Sequence, residues 1–359
     1  MSLNPVGPWY GANDYTVFYS TYTFINLTGD WAFLDEKIGT TTVINRLEEI
    51  STAWRKLTDG KSYLADYGGA ENLSETVPSY LHKVPFLNAA NVWMMRSMAS
   101  IFDKKGLNDK SVQFRKEADD IAKEVLDLYI NGKGYWMCEY LDGKKVGIPI
   151  CFDFFTIARC MQDDLSPKIK TEMMDFVTRD LWMGNWMRSL ALYDESAQKT
   201  LSTQKGRDSW LNSEWRGASL RADHGCTGAF DAWPPLTAES FILLGQPRLG
   251  NELLRSIVPV LDEGPFGQSH NVASELKPVC KAYLDWQDYF AGDGGTFFDV
   301  IFRSWFGLDP DLKWGMLRMP NVNRGFNGTL YNVCFSGKNY NILSTENGIA
   351  TKEIITDEK

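Results

Sequence analysis

NAANVWMMRSMASIF, residues 88–102, followed closely by SVQFRKEADDIAKEVLDLY, residues 111–129, decides the fold. The first run is apolar on most sides, through Ala89, Ala90, Val92, Trp93, Met94, Met95, Met98 and Ile101. The second places Phe114, Ala118, Ile121, Ala122, Val125 and Leu128 on one helical face and its charges on the other. A helix that is apolar all round is buried, whereas one with a polar face lies at the periphery. The pair therefore reads as an inner helix followed by an outer one.

The same alternation runs along the chain. A mostly apolar helix from Asp14 stops at Leu27-Thr-Gly-Asp30. An amphipathic one over 41–57 follows, with Val43, Leu47, Ile50 and Trp54 three and four apart. Beyond the central pair come apolar 150–160, then 166–177 behind a Ser-Pro start signal. Apolar 235–244, outer 250–261 and apolar 296–306 complete nine helices. Alternating buried and peripheral helices describe an all-α toroid, an inner ring of helices inside an outer one, with nine counted against the twelve of a complete (α/α)6 ring. The connections 60–86, 180–228 and 262–295 are long and are expected to gather at one end to build the site, because function concentrates on loops carried by a rigid scaffold. From about Trp314 the pattern changes. Residues 329–335 and 340–343 read as strands separated by a Gly-Lys-Asn turn. The expected division is a ring over 1–312 and a short β-rich segment over 313–359.

Composition narrows the function classes. The chain has 359 residues, 44% hydrophobic and 23% charged, and a net charge of -9 without a Lys/Arg block, which argues against a nucleic-acid partner. No apolar run reaches the length of a membrane span, so no membrane insertion is expected. Six cysteines form no CxxC pair and read as small buried hydrophobes. Three histidines, at 82, 224 and 270, are too dispersed for a metal site, and no cofactor motif is present. Aromatic residues reach 13%, with 13 Trp and 15 Tyr. That content serves a large-side-chain core, and it equally serves stacking on the C–H faces of sugar rings. No signal peptide is visible at the start, which leaves localisation open.

The stretch 63–91, YLADYGGAENLSETVPSYLHKVPFLNAAN, resembles the clan of six-hairpin glycosidases that contains the trehalases and the N-glycan-processing glucosidases. In trehalases a Trp-Asp loop bearing the catalytic acid precedes a Val-Pro-Val-Asp-Leu-Asn-Ala helix start. Val84-Pro-Phe-Leu-Asn-Ala89 matches that start, with Asp66 upstream. Other elements agree in order. Gly29-Asp30-Trp-Ala-Phe-Leu34 is similar to an earlier hairpin turn, and Gly134-Tyr135-Trp136 to the strand pair after an outer helix. The stretch from Ala222 through Asp231-Ala-Trp-Pro-Pro235 is similar to a later Trp-Asp…Trp-Pro loop. Gly294-Gly-Thr-Phe-Phe298 stands where the last inner helix begins. The resemblance covers roughly residues 9–308. It implies a ring whose first hairpin lies upstream in a longer parent chain, and an inverting glycosidase.

Glycoside hydrolysis needs two carboxyl groups flanking the scissile bond, one to protonate the leaving oxygen and one to activate water or to attack. The resemblance points to Asp66 as the acid, with Glu71 and Glu75 of the same loop as rivals. Asp66 precedes Tyr67-Gly-Gly69, where the backbone can turn sharply and a ligand approach closely. The plainer reading is a turn aspartate bonded to its own backbone. A second cluster holds Trp215, Arg216, Asp223, His224, Asp231 and Trp233, a mix suited to hydroxyl recognition. For Asp231 a helix N-cap is the competing role. At the position where the related enzymes carry the basic Glu, this sequence has Gln268 and His270; no carboxylate aligns cleanly, although Glu263, Glu275, Asp285 and Asp288 lie close in sequence. An oligosaccharide is the expected partner. Three classes stay open: an inverting glycosidase, a non-hydrolytic sugar-binding toroid with a degenerate site, and an epimerase or lyase on the same ring.

Overall fold

The computed structural model of the chain describes residues 11–69, 77, 79–202, 228–262, 269–272, 278–279, 291–308, 326–335, 337–345 and 348–354. Its ring is assembled from helices whose ends follow from local chemistry. Helix α1 (Ala12–Thr28) stops at Gly29, which takes φ 70° and returns its N–H to the Ile25 carbonyl. Helix α2 (Val43–Ser51) is shorter than the 41–57 run predicts. The hydroxyls of Ser51 and Thr52 bond back to the Glu48 carbonyl, and the chain tightens into a 3-10 turn over Ala53–Leu57. Helix α3 (Pro85–Lys104) begins three residues before the quoted stretch, because Pro85 fits the first helical position, where no N–H is needed.

Helix α4 (Asn108–Leu126) buries Phe114, Ala118, Ile121, Ala122 and Val125 along one face, as its periodicity requires. Helix α5 (Cys151–Met161) is buried on nearly all sides, and α6 (Pro167–Phe176) is capped by Ser166 Oγ, which accepts the Ile169 N–H at 3.2 Å. Helix α7 (Glu195–Ser202) lies within a stretch read as loop. Helix α8 (Trp233–Leu243) starts ahead of its two prolines, α9 (Pro247–Asp262) follows it, and α10 (Ala291–Val300) runs into a π turn over Ile301–Trp305.

Among the described residues the inner ring runs α1, α3, α5, α8, α10, each helix packed against the next. Helices α2, α4 and α9 lie outside α1, α3 and α8 respectively. The all-α toroid is therefore the observed architecture. Trp93, on α3, fixes the α1–α3 contact: its ring meets those of Tyr15, Phe18, Tyr19 and Tyr22 at centroid distances of 5.3 to 5.9 Å. These edge and tilted arrangements add to the area such rings bury.

Short antiparallel strands decorate the ring: β1 (Lys37–Ile38) with β2 (Thr41–Thr42), β3 (Trp136–Glu139) with β4 (Lys145–Ile148), and a sheet of β5 (Gly228–Phe230), β6 (Ser269–Val272) and β7 (Pro278–Val279). The C-terminal strands are β8 (Gly328–Phe335), β9 (Lys338–Thr345) and a third, β10 (Gly348–Ile354), in the order β10-β9-β8. The sequence pattern shows only two of them. Cys138, Cys151 and Cys160 are buried, as small hydrophobes should be, but Cys334 on β8 is exposed; Cys226 and Cys280 lie outside the described residues. Among the described residues, no helix is long and apolar enough to cross a membrane.

Candidate functional site

Backbone bonds stitch the long connections into one face. The Tyr67 N–H donates to the His82 carbonyl, and the His82 N–H donates to Gly68. Lys83 bridges to Glu139 of β3, and Ile150 to Leu190. Ser189 donates its N–H to Gly228, and Ala229 of β5 stands opposite His270 of β6. Each of these segments leads into, or packs against a segment that leads into, the N-terminal end of α3, α5 or α8. The expectation that the long loops share one end of the ring holds for these residues.

Asp66 sits in this face, about one-fifth exposed. Its Oδ1 accepts the Gly68 N–H at 2.8 Å and faces His82 Nδ1 at 3.1 Å. The turn-aspartate geometry is thus present, and an imidazole is added to it. Oδ2 has no hydrogen-bond partner among the described residues. His82 takes φ 64°, a left-handed conformation uncommon for a side-chain-bearing residue, and both its backbone groups bond the 67–68 segment.

Tyr67 lies against the ring wall. Its hydroxyl and the Asn91 side-chain amide bond each other, at 2.8 and 3.1 Å. Burial pushes the Tyr67 hydroxyl pKa up. The Asn91 bond opposes that shift, and the nearby Asp14 carboxylate adds to it. Asp14 is half-buried on the first turn of α1, and burial raises its pKa.

A second buried pair supports the loop. Tyr80 donates its hydroxyl to Asp153 Oδ1, on the first turn of α5, and accepts the Phe86 N–H at 3.4 Å. Asp153 is 1% exposed, and its Oδ2 is buried without a hydrogen-bond partner. Burial pushes its carboxyl up to about 8, against the lowering effect of the Tyr80 and Phe86 hydrogen bonds. Nearby, Asp194 caps α7 by accepting from the Ser196 N–H at 2.8 Å, and burial raises its pKa. Tyr140 packs on His82 edge to face, at 5.8 Å.

Phe152, beside Asp153, meets Tyr80 at 6.2 Å and Trp233 at 4.7 Å. Trp233 also meets Phe230 at 4.6 Å. This aromatic chain joins Trp233 to the Asp66 loop, so Trp233 lies at the same end of the ring as that loop. Asp231 is buried, 2% exposed, just ahead of α8. It is not the helix cap: the helix begins after Ala232 with no side-chain cap, because the chain turns helical one residue later than the Asp-Ala-Trp motif implies. His270 is placed on β6 by its backbone. Glu71, Glu75, Trp215, Arg216, Asp223, His224 and Gln268 lie outside the described residues.

Deeper along the ring axis, Glu239 of α8 accepts from Arg159 of α5 at 3.2 Å and from Arg303 at 2.7 Å, with both guanidinium groups near the Tyr19 ring. This buried triad joins α1, α5, α8 and the segment after α10. Sequence reading missed Asp14, His82, Asn91, Tyr80, Asp153 and Glu239. A usable signal existed for Asp14 and Asp153: each is a lone carboxylate in the opening turn of an inner, apolar helix. Among the described residues no group of three or more His, Cys, Asp or Glu side chains could hold a metal ion.

No family model matches the sequence, and no curated protein is similar to it. Solved structures are similar in fold. A sialidase superposes with a TM-score of 0.68 at 12% identity, over 96% of this chain and 33% of that one. The GH78 family rhamnosidase of Bacillus sp. GL1 superposes with a TM-score of 0.53 at 12% identity, over 92% of this chain and 30% of that one. The chain thus spans about a third of the length of either structure. At this identity the likeness is one of fold.

Proposed function

We propose that the chain is the toroidal part of a glycosidase that cleaves a glycosidic bond of an oligosaccharide with inversion, and that Asp66 is its general acid. The observation that carries the reading is Asp66 itself. It is a half-buried carboxyl on the loop end of the ring, braced through one oxygen by Gly68 and His82, with its other oxygen unbonded among the described residues. An acid must present one oxygen to the leaving group while the rest of the side chain is held still. The fold likeness to a sialidase and a rhamnosidase supports the enzyme class, and the resemblance of the 63–91 stretch supports the inverting, trehalase-type branch.

The reading assigns residues 1–312 to the catalytic ring and 313–359 to an appended β segment. It also assigns the ring a neighbour from a longer parent chain. Val17 and Phe24 of α1, with Phe298 and Phe302 near α10, offer it exposed apolar surface.

The test is a panel of aryl glycosides, including rhamnosides, glucosides and sialosides, and of natural oligosaccharides, following released sugar. Asp66→Asn should lower turnover by about 10²–10⁴ while sugar binding and Tm stay near wild type. Binding without release from any substrate would favour the non-hydrolytic toroid. Full activity in Asp66→Asn would remove Asp66 from the mechanism.

A further inference from the structure

We infer that Asp14 is the second carboxyl of the site, the base that activates water opposite Asp66. This rests on the glycosidase reading and supplies what the Gln268–His270 stretch lacks in sequence, a carboxylate to serve as base. Three observations place Asp14. First, the opening of α1 lies directly on Tyr67: a Cβ added at Gly11 would come within 2.9 Å of the Tyr67 ring. Second, Asp14 stands three residues on from Gly11, in the first turn of α1. Its carboxylate is close enough to act on the Tyr67 hydroxyl. Third, Asp14 makes no hydrogen bond or ion pair with any described residue, although it is half-buried. A carboxylate left in that state gains from a partner that arrives later, and a water held against a sugar is such a partner.

Tyr67 links the two carboxyls. Asp66 precedes it in the backbone, and the Asp14 carboxylate acts on its hydroxyl. Asn91 of α3 and the His82 carbonyl hold that tyrosine in place. In the proposed step Asp14 takes a proton from water as the water oxygen bonds to the anomeric carbon. The glycosidic C–O bond breaks, its electron pair stays on the leaving oxygen, and Asp66 gives that oxygen its proton. One water is consumed, and solvent returns the proton from Asp14 to Asp66. Partial burial suits the role, since it disfavours the ionised form and makes the carboxylate a stronger base.

The experiment compares wild type, Asp14→Asn and Asp14→Ala in the full chain, on whichever 4-nitrophenyl glycoside the wild type hydrolyses. Asp14→Asn should lower kcat by about 10²–10⁴ with KM little changed, and should remove the acidic limb of the kcat pH profile. Sodium azide added to Asp14→Ala should restore nitrophenol release and form a glycosyl azide, a result that a structural role would not produce. A wild type that hydrolyses the glycoside while Asp14→Asn matches it in kcat and pH profile overturns the assignment and leaves the glycosidase reading standing. A wild type that hydrolyses no glycoside overturns both.

Discussion

Replacing Asp153 by asparagine should flatten the pH dependence of stability between pH 5 and pH 8. Asp153 is buried on the first turn of α5, accepts one hydrogen bond from Tyr80, and titrates near 8 instead of the ordinary 3.8. The native state therefore holds this proton more tightly than the unfolded chain does. The resulting stability is complete below the ordinary carboxyl pKa and is lost as pH rises toward 8. In that window each pH step of one costs about 1.4 kcal/mol, so wild type should lose about 3 kcal/mol to this group between pH 5 and pH 7.

Asparagine keeps the acceptor for Tyr80 but places an N–H₂ where Oδ2 has no partner, an offset of about 1–3 kcal/mol that does not change with pH. Other carboxyls raised by burial, Asp14 and Asp194, are present in both proteins and cancel in the comparison. Urea unfolding at pH 5, 6, 7 and 8 measures the difference. The variant should gain on wild type by roughly 1–1.4 kcal/mol per pH step up to pH 7, and by less between pH 7 and pH 8, where Asp153 itself ionises. Parallel stability curves for the two proteins would refute the reasoning, because they would show that Asp153 is no harder to ionise when folded.

Two further outcomes follow from buried geometry. Glu239→Gln removes the carboxylate that Arg159 and Arg303 share inside the ring, where Glu239 is 3% exposed. It should cost about 3–5 kcal/mol in thermal or urea unfolding, and a loss under about 1 kcal/mol would mean that the triad behaves as a surface pair. Gly134→Ala should cost at least about 2 kcal/mol, since Gly134 has φ 79° and its added Cβ would lie 2.0 Å from the Glu172 carbonyl oxygen. Gly143→Ala, with the same φ but nothing within 4 Å, should cost only about 1–2 kcal/mol, so equal effects in the two variants would contradict the steric argument.

Much of the ring was legible because helical burial repeats locally. Phe114, Ala118, Ile121 and Val125 lie on one face by spacing alone, and the Ser166-Pro167 start signal is the observed cap. What periodicity could not show was where hydroxyls interrupt a helix. Ser51 and Thr52 divert α2 into a 3-10 turn by bonding the Glu48 carbonyl, a choice made by side chains rather than by the apolar pattern. Helix α7 was hidden for a related reason: it is short, and its start depends on the Asp194 cap. The third C-terminal strand, β10, was not read from the sequence at all.

The site divides in the same way. Asp66 and Tyr67 could be named from one stretch, since the loop and helix start that carry the resemblance are contiguous in residues 63–91. Their partners could not. His82 reaches Asp66 from sixteen positions away, Asn91 reaches Tyr67 from twenty-four, and Asp153 reaches Tyr80 from seventy-three. Inner and outer helices could be told apart from the residues alone, because burial of a helical face needs only a repeat of three and four residues. Which side chains bond Asp66, Tyr67 and Tyr80, and which carboxylates are kept from water, came from the fold, because hydrogen bonding and desolvation depend on distances between segments that no local pattern encodes.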